Sequence, residues 1–207
     1  EMELKKIVGL SVAMVVGTGE VGGTPGVLTE HFGFEDREAG IPAGDATMYR
    51  WASVSKPMTA VVVMQLAGQG KLDLDADVRT LVPEFPAKPW PVTPRQLLCH
   101  QGGVVHYSDG VVVVTRRVYD VPHPFADSVL ALDTFKESPL TAEPGLRYSY
   151  STHGYMLLGA VAERAAAGPS FAELVRERVA VPCAMATLRP DYQWEEIPHR
   201  AVGYRIA

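Results

Sequence analysis

Ser53-Val54-Ser55-Lys56 sets a hydroxyl and an amine three residues apart. On a helix, that spacing puts both on one face. A serine is a poor nucleophile near neutral pH and needs a neighbouring base. Lys56 serves as that base if burial lowers its pKa, or it holds another base in place. At a helix N-terminus the serine also lies in the positive end of the dipole. Free N–H groups there can stabilise a developing oxyanion. The second set of groups is Tyr150-Ser151-Thr152. A phenol beside a lysine ammonium has its pKa pulled down. The phenolate can then take a serine proton and return it to a leaving group.

Roughly one S-x-x-K is expected by chance in a chain this long at average residue usage. The motif therefore gains meaning from its place in the chain. Residues 7–16 (IVGLSVAMVV) read as a buried strand, and 27–34 (VLTEHFGF) as its partner across a glycine-rich turn. A turn is expected over 40–44 and a short strand over 47–52. Ser53 then opens a helix with Pro57 in its first turn, and Gly70 ends it. The helix is strongly apolar and is expected to be buried. A proline-rich stretch over 83–94 leads to a short helix capped by Thr93. Residues 100–110 read as a loop, and 128–137 as helical. Residues 151–167 are apolar at helical spacing until Gly168-Pro169, and 171–179 form another helix.

The chain has 207 residues, 47% hydrophobic and 21% charged, with a formal charge of −5. That is a globular composition and carries no basic footprint for nucleic acid. Unbroken apolar runs are too short to span a bilayer. No basic-then-apolar leader is visible at the start. Cys99 and Cys183 are too few for a disulfide framework and read as two unpaired, buried thiols. A single bridge between them stays open.

Several rival motifs are weaker. Gly17-Thr18-Gly19-Glu20-Val21-Gly22 matches G-x-G-x-x-G, but a dinucleotide site needs a helix to begin there. Here a strand follows, so a hairpin loop is expected. Ser108-Asp109-Gly110 with Glu143-Pro144-Gly145-Leu146-Arg147 imitates another acyl-transfer arrangement, in which a glutamate activates water. Turns explain both segments. His100, His106 and His123 match no standard metal-ligand spacing and read as loop or supporting histidines. Cys99 beside His100 reads as a small buried hydrophobe.

A longer pattern then becomes visible. It runs through 49–60 (YRWASVSKPMTA), 70–75 (GKLDLD), 95–103 (RQLLCHQGG), 144–152 (PGLRYSYST) and 154–159 (GYMLLG). In order and spacing it resembles the serine β-lactamase and penicillin-binding-protein superfamily. The likeness is to the class C-like branch, and above all to the mitochondrial serine β-lactamase-like proteins. The resemblance implies an α/β fold in which an antiparallel sheet is flanked by helices, with an all-helical lobe beside it. It implies one domain over 1–207, with the sheet region and the start of the nucleophile helix over 1–60 and a mainly helical lobe over 61–180.

By the same resemblance Ser53 is the acylated nucleophile, Lys56 helps deprotonate it, and Tyr150 is the acid/base. Thr152 stands where many relatives have a substrate-facing Asn, and Ser151 beside it is read as substrate-binding. Gly102 replaces a usual serine. The implied reaction is acyl transfer from an amide, ester or β-lactam bond of a small molecule or peptide, with no metal or organic cofactor. The resemblance leans toward a periplasmic or secreted compartment. The family's third motif, K-T-G or H-x-G, is missing. The expectation is therefore an N-terminal portion of the domain, without the C-terminal strands. A complementary segment or chain would then carry the third motif. A non-catalytic binding or assembly protein on the same fold is the alternative.

Overall fold

The computed structural model describes Met2 and residues 6–17 and 26–204. The G-x-G-x-x-G loop, apart from Gly17, lies outside the described residues. The chain forms two compact units, Glu1–Trp51 with Asp191–Ala207, and Ala52–Pro190.

In the first unit β1 (Gly9–Val16) pairs antiparallel with β2 (Gly26–Asp36), with Leu10 opposite Phe32 and Met14 opposite Leu28. The expected hairpin is therefore present. A short β3 (Ile41–Pro42) extends the sheet beyond β2 through a register shift at Phe34/Asp36. That strand falls where a turn was expected. The strand expected over 47–52 is reduced to one bridge, Met48 with Arg200. Met48 exchanges backbone bonds with His199 and Ala201 alone, which is too little for a ladder. The expectation that β1 is buried is also corrected: Val12, Met14 and Val15 are exposed. Among the described residues of this unit no helix forms to cover the sheet.

The second unit carries the helices. A 3₁₀ turn over Ala52–Val54 leads into α1 (Ser55–Gly68). Ser53 thus sits in the tight turn rather than at the α-helical cap. Pro57 is the reason, because it has no N–H to give the Ser53 carbonyl, so the first α-type bond forms later. Gly70 ends the helix at φ +69, as its lack of a side chain allows. Only one side of α1 is buried. Val62, Val63 and Leu66 are fully enclosed, while Val61 and Met64 are exposed.

Thr93 caps α2 (Pro94–Leu98) in a reciprocal box with Gln96, which satisfies two otherwise orphaned N–H groups. In α3 (Thr152–Ala166), Ser151 Oγ accepts the Gly154 N–H, and Ala167 ends the helix in the left-handed region. Leu157, Leu158 and Val161 of α3 are fully buried in one cluster with Val62, Val63 and Leu66 of α1. Burying each such side chain contributes about 1.5–3 kcal/mol. The α1–α3 contact is therefore a firm base for the segments that precede both helices. The segment expected to be helical over 128–137 forms only a 3₁₀ stretch, Leu130–Thr134. The last predicted helix begins as α4 (Phe171–Val175) and widens to a π-turn over Arg176–Ala180. Among the described residues no helix is long and apolar enough to cross a membrane.

Cys99 and Cys183 are free, but both are exposed rather than buried. Cys99 is the C-cap of α2, where the chain turns out of the core after Leu97.

His153 is 7% exposed on α3. Its Nδ1–H donates to the Val105 carbonyl at 2.9 Å, and its ring stacks on Phe135 at 4.5 Å. Burial holds its pKa below the ordinary imidazole value. The unfolded chain therefore binds the extra proton first. Stability is complete above about pH 6.5 and is lost as pH falls toward the lower folded value. The melting temperature should decline over that window in the parent. It should decline less steeply in His153→Asn, which keeps a donor near the Nδ1 position. An equal slope in both proteins would clear His153 of this role.

Candidate active site

The backbone bends sharply just before Ser53. Ala52 has φ +45, a left-handed conformation that non-glycine residues rarely adopt. This bend and the 3₁₀ turn place Ser53 at the exposed start of the α1 segment. One turn on, Lys56 Nζ donates to Ser53 Oγ at 3.1 Å. The same ammonium donates to Thr152 Oγ1 at 3.3 Å and lies 4.7 Å from the centre of the Tyr150 ring. Ser53 Oγ and the Tyr150 hydroxyl share a 2.6 Å hydrogen bond.

Residues 97 positions apart in the chain are therefore brought within one hydrogen bond of each other. The Lys56 ammonium, followed by the bond to Ser53, holds the Tyr150 phenol below its ordinary pKa, because both favour phenolate. Ser53, Lys56, Tyr150 and Thr152 thus form one constellation. Ser151 faces elsewhere. It is 4% exposed, and its hydroxyl donates to the Val105 carbonyl while capping α3.

The segment that delivers Tyr150 is held from one side by two histidines. The His100 carbonyl accepts the Ser149 N–H at 2.7 Å, and His100 Nδ1 accepts the Ser151 N–H at 3.1 Å. His106 Nδ1 accepts the Thr152 N–H at 3.3 Å. The sequence alone marks both as loop or supporting histidines. A lone histidine carries no spacing signature, and the partner atoms are backbone, which leaves no mark on residue type. Among the described residues no group of three His, Cys, Asp or Glu could hold a metal ion.

The rival segments form turns. Asp109 N–H donates to the His106 carbonyl at 3.1 Å, and Gly145, at φ +89, donates to the Gln101 carbonyl at 2.8 Å. At Gly102 an added Cβ would lie 2.6 Å from Leu97 Cδ2. A serine there would need Leu97 to move.

The sequence pattern described as beta-lactamase matches residues 1–201 of this chain. The chain belongs to the beta-lactamase family. Within the family, it is 29% identical over 207 residues to the mouse mitochondrial serine beta-lactamase-like protein LACTB, covering 67% of this chain and 38% of that protein. It is 33% identical over 201 residues to esterase EstB of Burkholderia gladioli, covering 87% of this chain and 46% of the esterase. A penicillin-binding protein from Bacillus halodurans superposes with a TM-score of 0.74 at 26% identity, covering 98% of this chain and 60% of that one. The chain thus spans less than half the length of these curated relatives. The β-lactamase/transpeptidase fold, with its antiparallel sheet and helices, is as the motifs implied.

Proposed function

We propose that the protein is a serine hydrolase or acyltransferase that cleaves an amide, ester or β-lactam bond through an acyl-enzyme on Ser53. The observation that carries this reading is the 2.6 Å bond between Ser53 Oγ and the Tyr150 hydroxyl, with the Lys56 ammonium 3.1 Å from the same oxygen. In the first half-reaction Tyr150, as phenolate, takes the Ser53 proton while Oγ attacks the substrate carbonyl carbon. The tetrahedral intermediate collapses when Tyr150 returns that proton to the departing nitrogen or oxygen. In the second half-reaction Tyr150 takes a proton from water or another acceptor. That nucleophile attacks the acyl carbon, and the proton goes back to Ser53 Oγ.

Lys56 keeps the phenol ionisable and orients Oγ. Thr152, bonded to Lys56, offers a short hydroxyl beside the reacting groups rather than an amide. The 33% identity to an esterase supports ester substrates, and the fold likeness to a penicillin-binding protein supports amides and lactams. The test is intact-mass measurement after incubation with a fluorophosphonate, and separately with a penicillin. A covalent mass increase from at least one probe, located by digestion on the peptide containing Ser53, is expected. An unchanged mass under both probes would overturn the enzymatic reading and favour a binding protein on this fold.

A further inference from the structure

Three hydrogen bonds on the approach to α3 end on histidines rather than on secondary structure. The His100 carbonyl takes the Ser149 N–H, and the two imidazoles take the next pair, Ser151 and Thr152. To accept these N–H groups, each ring must carry a lone pair on Nδ1, so each is neutral with its proton on Nε2. Both rings also pack on the phenol. His100 lies 4.5 Å from the Tyr150 ring centre at 36°, and His106 lies 5.4 Å away at 88°. One ring therefore lies against the face of the tyrosine and the other meets it edge to face.

We propose that His100 and His106 are positioning residues that clamp Tyr150-Ser151-Thr152, fixing the phenol against Ser53 and the threonine hydroxyl against Lys56. This rests on the assignment of Ser53 as nucleophile. A tyrosine at the end of an uncapped loop would sweep through several rotamers, and a displacement near 1 Å can cost about 10²-fold in rate. The clamp removes that freedom from both ends of the peptide. It also explains why a loop of glycines and polar groups carries a buried imidazole: His106 is 9% exposed.

The arrangement makes His100 sensitive to acid. The groups facing its ring are Lys56 on α1, His106 further along the same loop, Tyr148 and Tyr150 before α3, and Tyr155 within α3, with Cys99 next to it in the chain. Burial, then Lys56, then His106 keep its pKa below the ordinary imidazole value. A proton on Nδ1 would remove the acceptor for Ser151 and place a second cation beside Lys56. The clamp is therefore intact above that pKa and opens as pH falls through it.

The experiment follows, across pH, the rate at which a fluorophosphonate modifies Ser53 Oγ, forming a P–O bond with loss of fluoride as a stand-in for acylation, with melting temperatures recorded for each variant. His100→Leu fills the space without an acceptor and should slow acylation by about 10²-fold. His100→Asn places an oxygen near the Nδ1 position and should recover most of that loss. In the parent, the logarithm of the rate should bend to a steeper descent below about pH 6.5. That bend should be missing in the double variant His100→Asn/His106→Asn, in which neither clamping side chain titrates. His106→Leu and His106→Asn should show the same loss and rescue of rate. Parent-like acylation in both leucine variants, or a low-pH bend that persists in the double asparagine variant, would overturn the clamp and leave the Ser53 reading standing. If the leucine variants fail to fold, the asparagine variants and the bend decide. No acylation of the parent at any pH would remove the nucleophile assignment, and the clamp with it.

Discussion

Ser53→Ala should take up no mass from a fluorophosphonate and should lose acyl transfer by at least about 10⁴-fold. The magnitude follows from what the substitution deletes. Ser53 Oγ is bonded to both the Tyr150 hydroxyl and the Lys56 ammonium. Ser55, the next serine in the chain, lies two residues on, and a helix turns its side chain to a different face from Ser53. Because Ser53 is exposed, the change to alanine opens no cavity in the core and should leave the melting temperature nearly unchanged. Loss of labelling in a folded variant would therefore report chemistry. An adduct on Ser53→Ala equal to the parent's would place the reactive group elsewhere.

Tyr150→Phe should slow acylation by about 10²–10⁴-fold, the usual range for removing a general acid/base. The ring, and with it the packing against His100 and His106, is kept, so the effect isolates one oxygen. The pH dependence supplies the second arm. Phenolate, the form that accepts the serine proton, grows as pH rises through the Tyr150 pKa. Lys56 and the bond to Ser53 hold that pKa below the ordinary tyrosine value. The parent rate should thus rise with pH and level off before about pH 10, where an unperturbed tyrosine would still be titrating. The phenylalanine variant should be slow and lack this rise. If both proteins follow the same profile, Tyr150 does not carry the proton.

The grouping of Ser53, Lys56 and Tyr150 is easier to read from the residues than the architecture is. A serine and a lysine three apart ahead of an apolar helix, and a tyrosine ahead of a second one, have a spacing set by helical geometry. Both helices formed where their apolar periods put them. Thr93 announces the cap of α2 by residue type.

What stayed hidden depends on contacts that side-chain identity does not encode. The start of α1 shifted because of one absent N–H at Pro57. Ile41-Pro42 pairs with β2 through backbone atoms alone, and the partners of Met48 lie near residue 200. The apolar letters of β1 described a surface as well as they described a core. Cys99 reads as buried beside Leu97 and Leu98, yet the residue that caps the end of a short helix can point out of the core its neighbours enter. The roles of His100 and His106 rest on main-chain partners about 50 residues away.

The bend at Ala52 has a consequence for how this sequence can change over generations. Holding a non-glycine residue in that conformation costs on the order of 1–3 kcal/mol. Glycine would remove the penalty, and a search for heat resistance alone would be drawn toward it. The same exchange would free the peptide on which the hydroxyl of residue 53 is mounted. Durability and turnover therefore pull in opposite directions at one methyl group, and its persistence in a lineage would be a record of selection for activity.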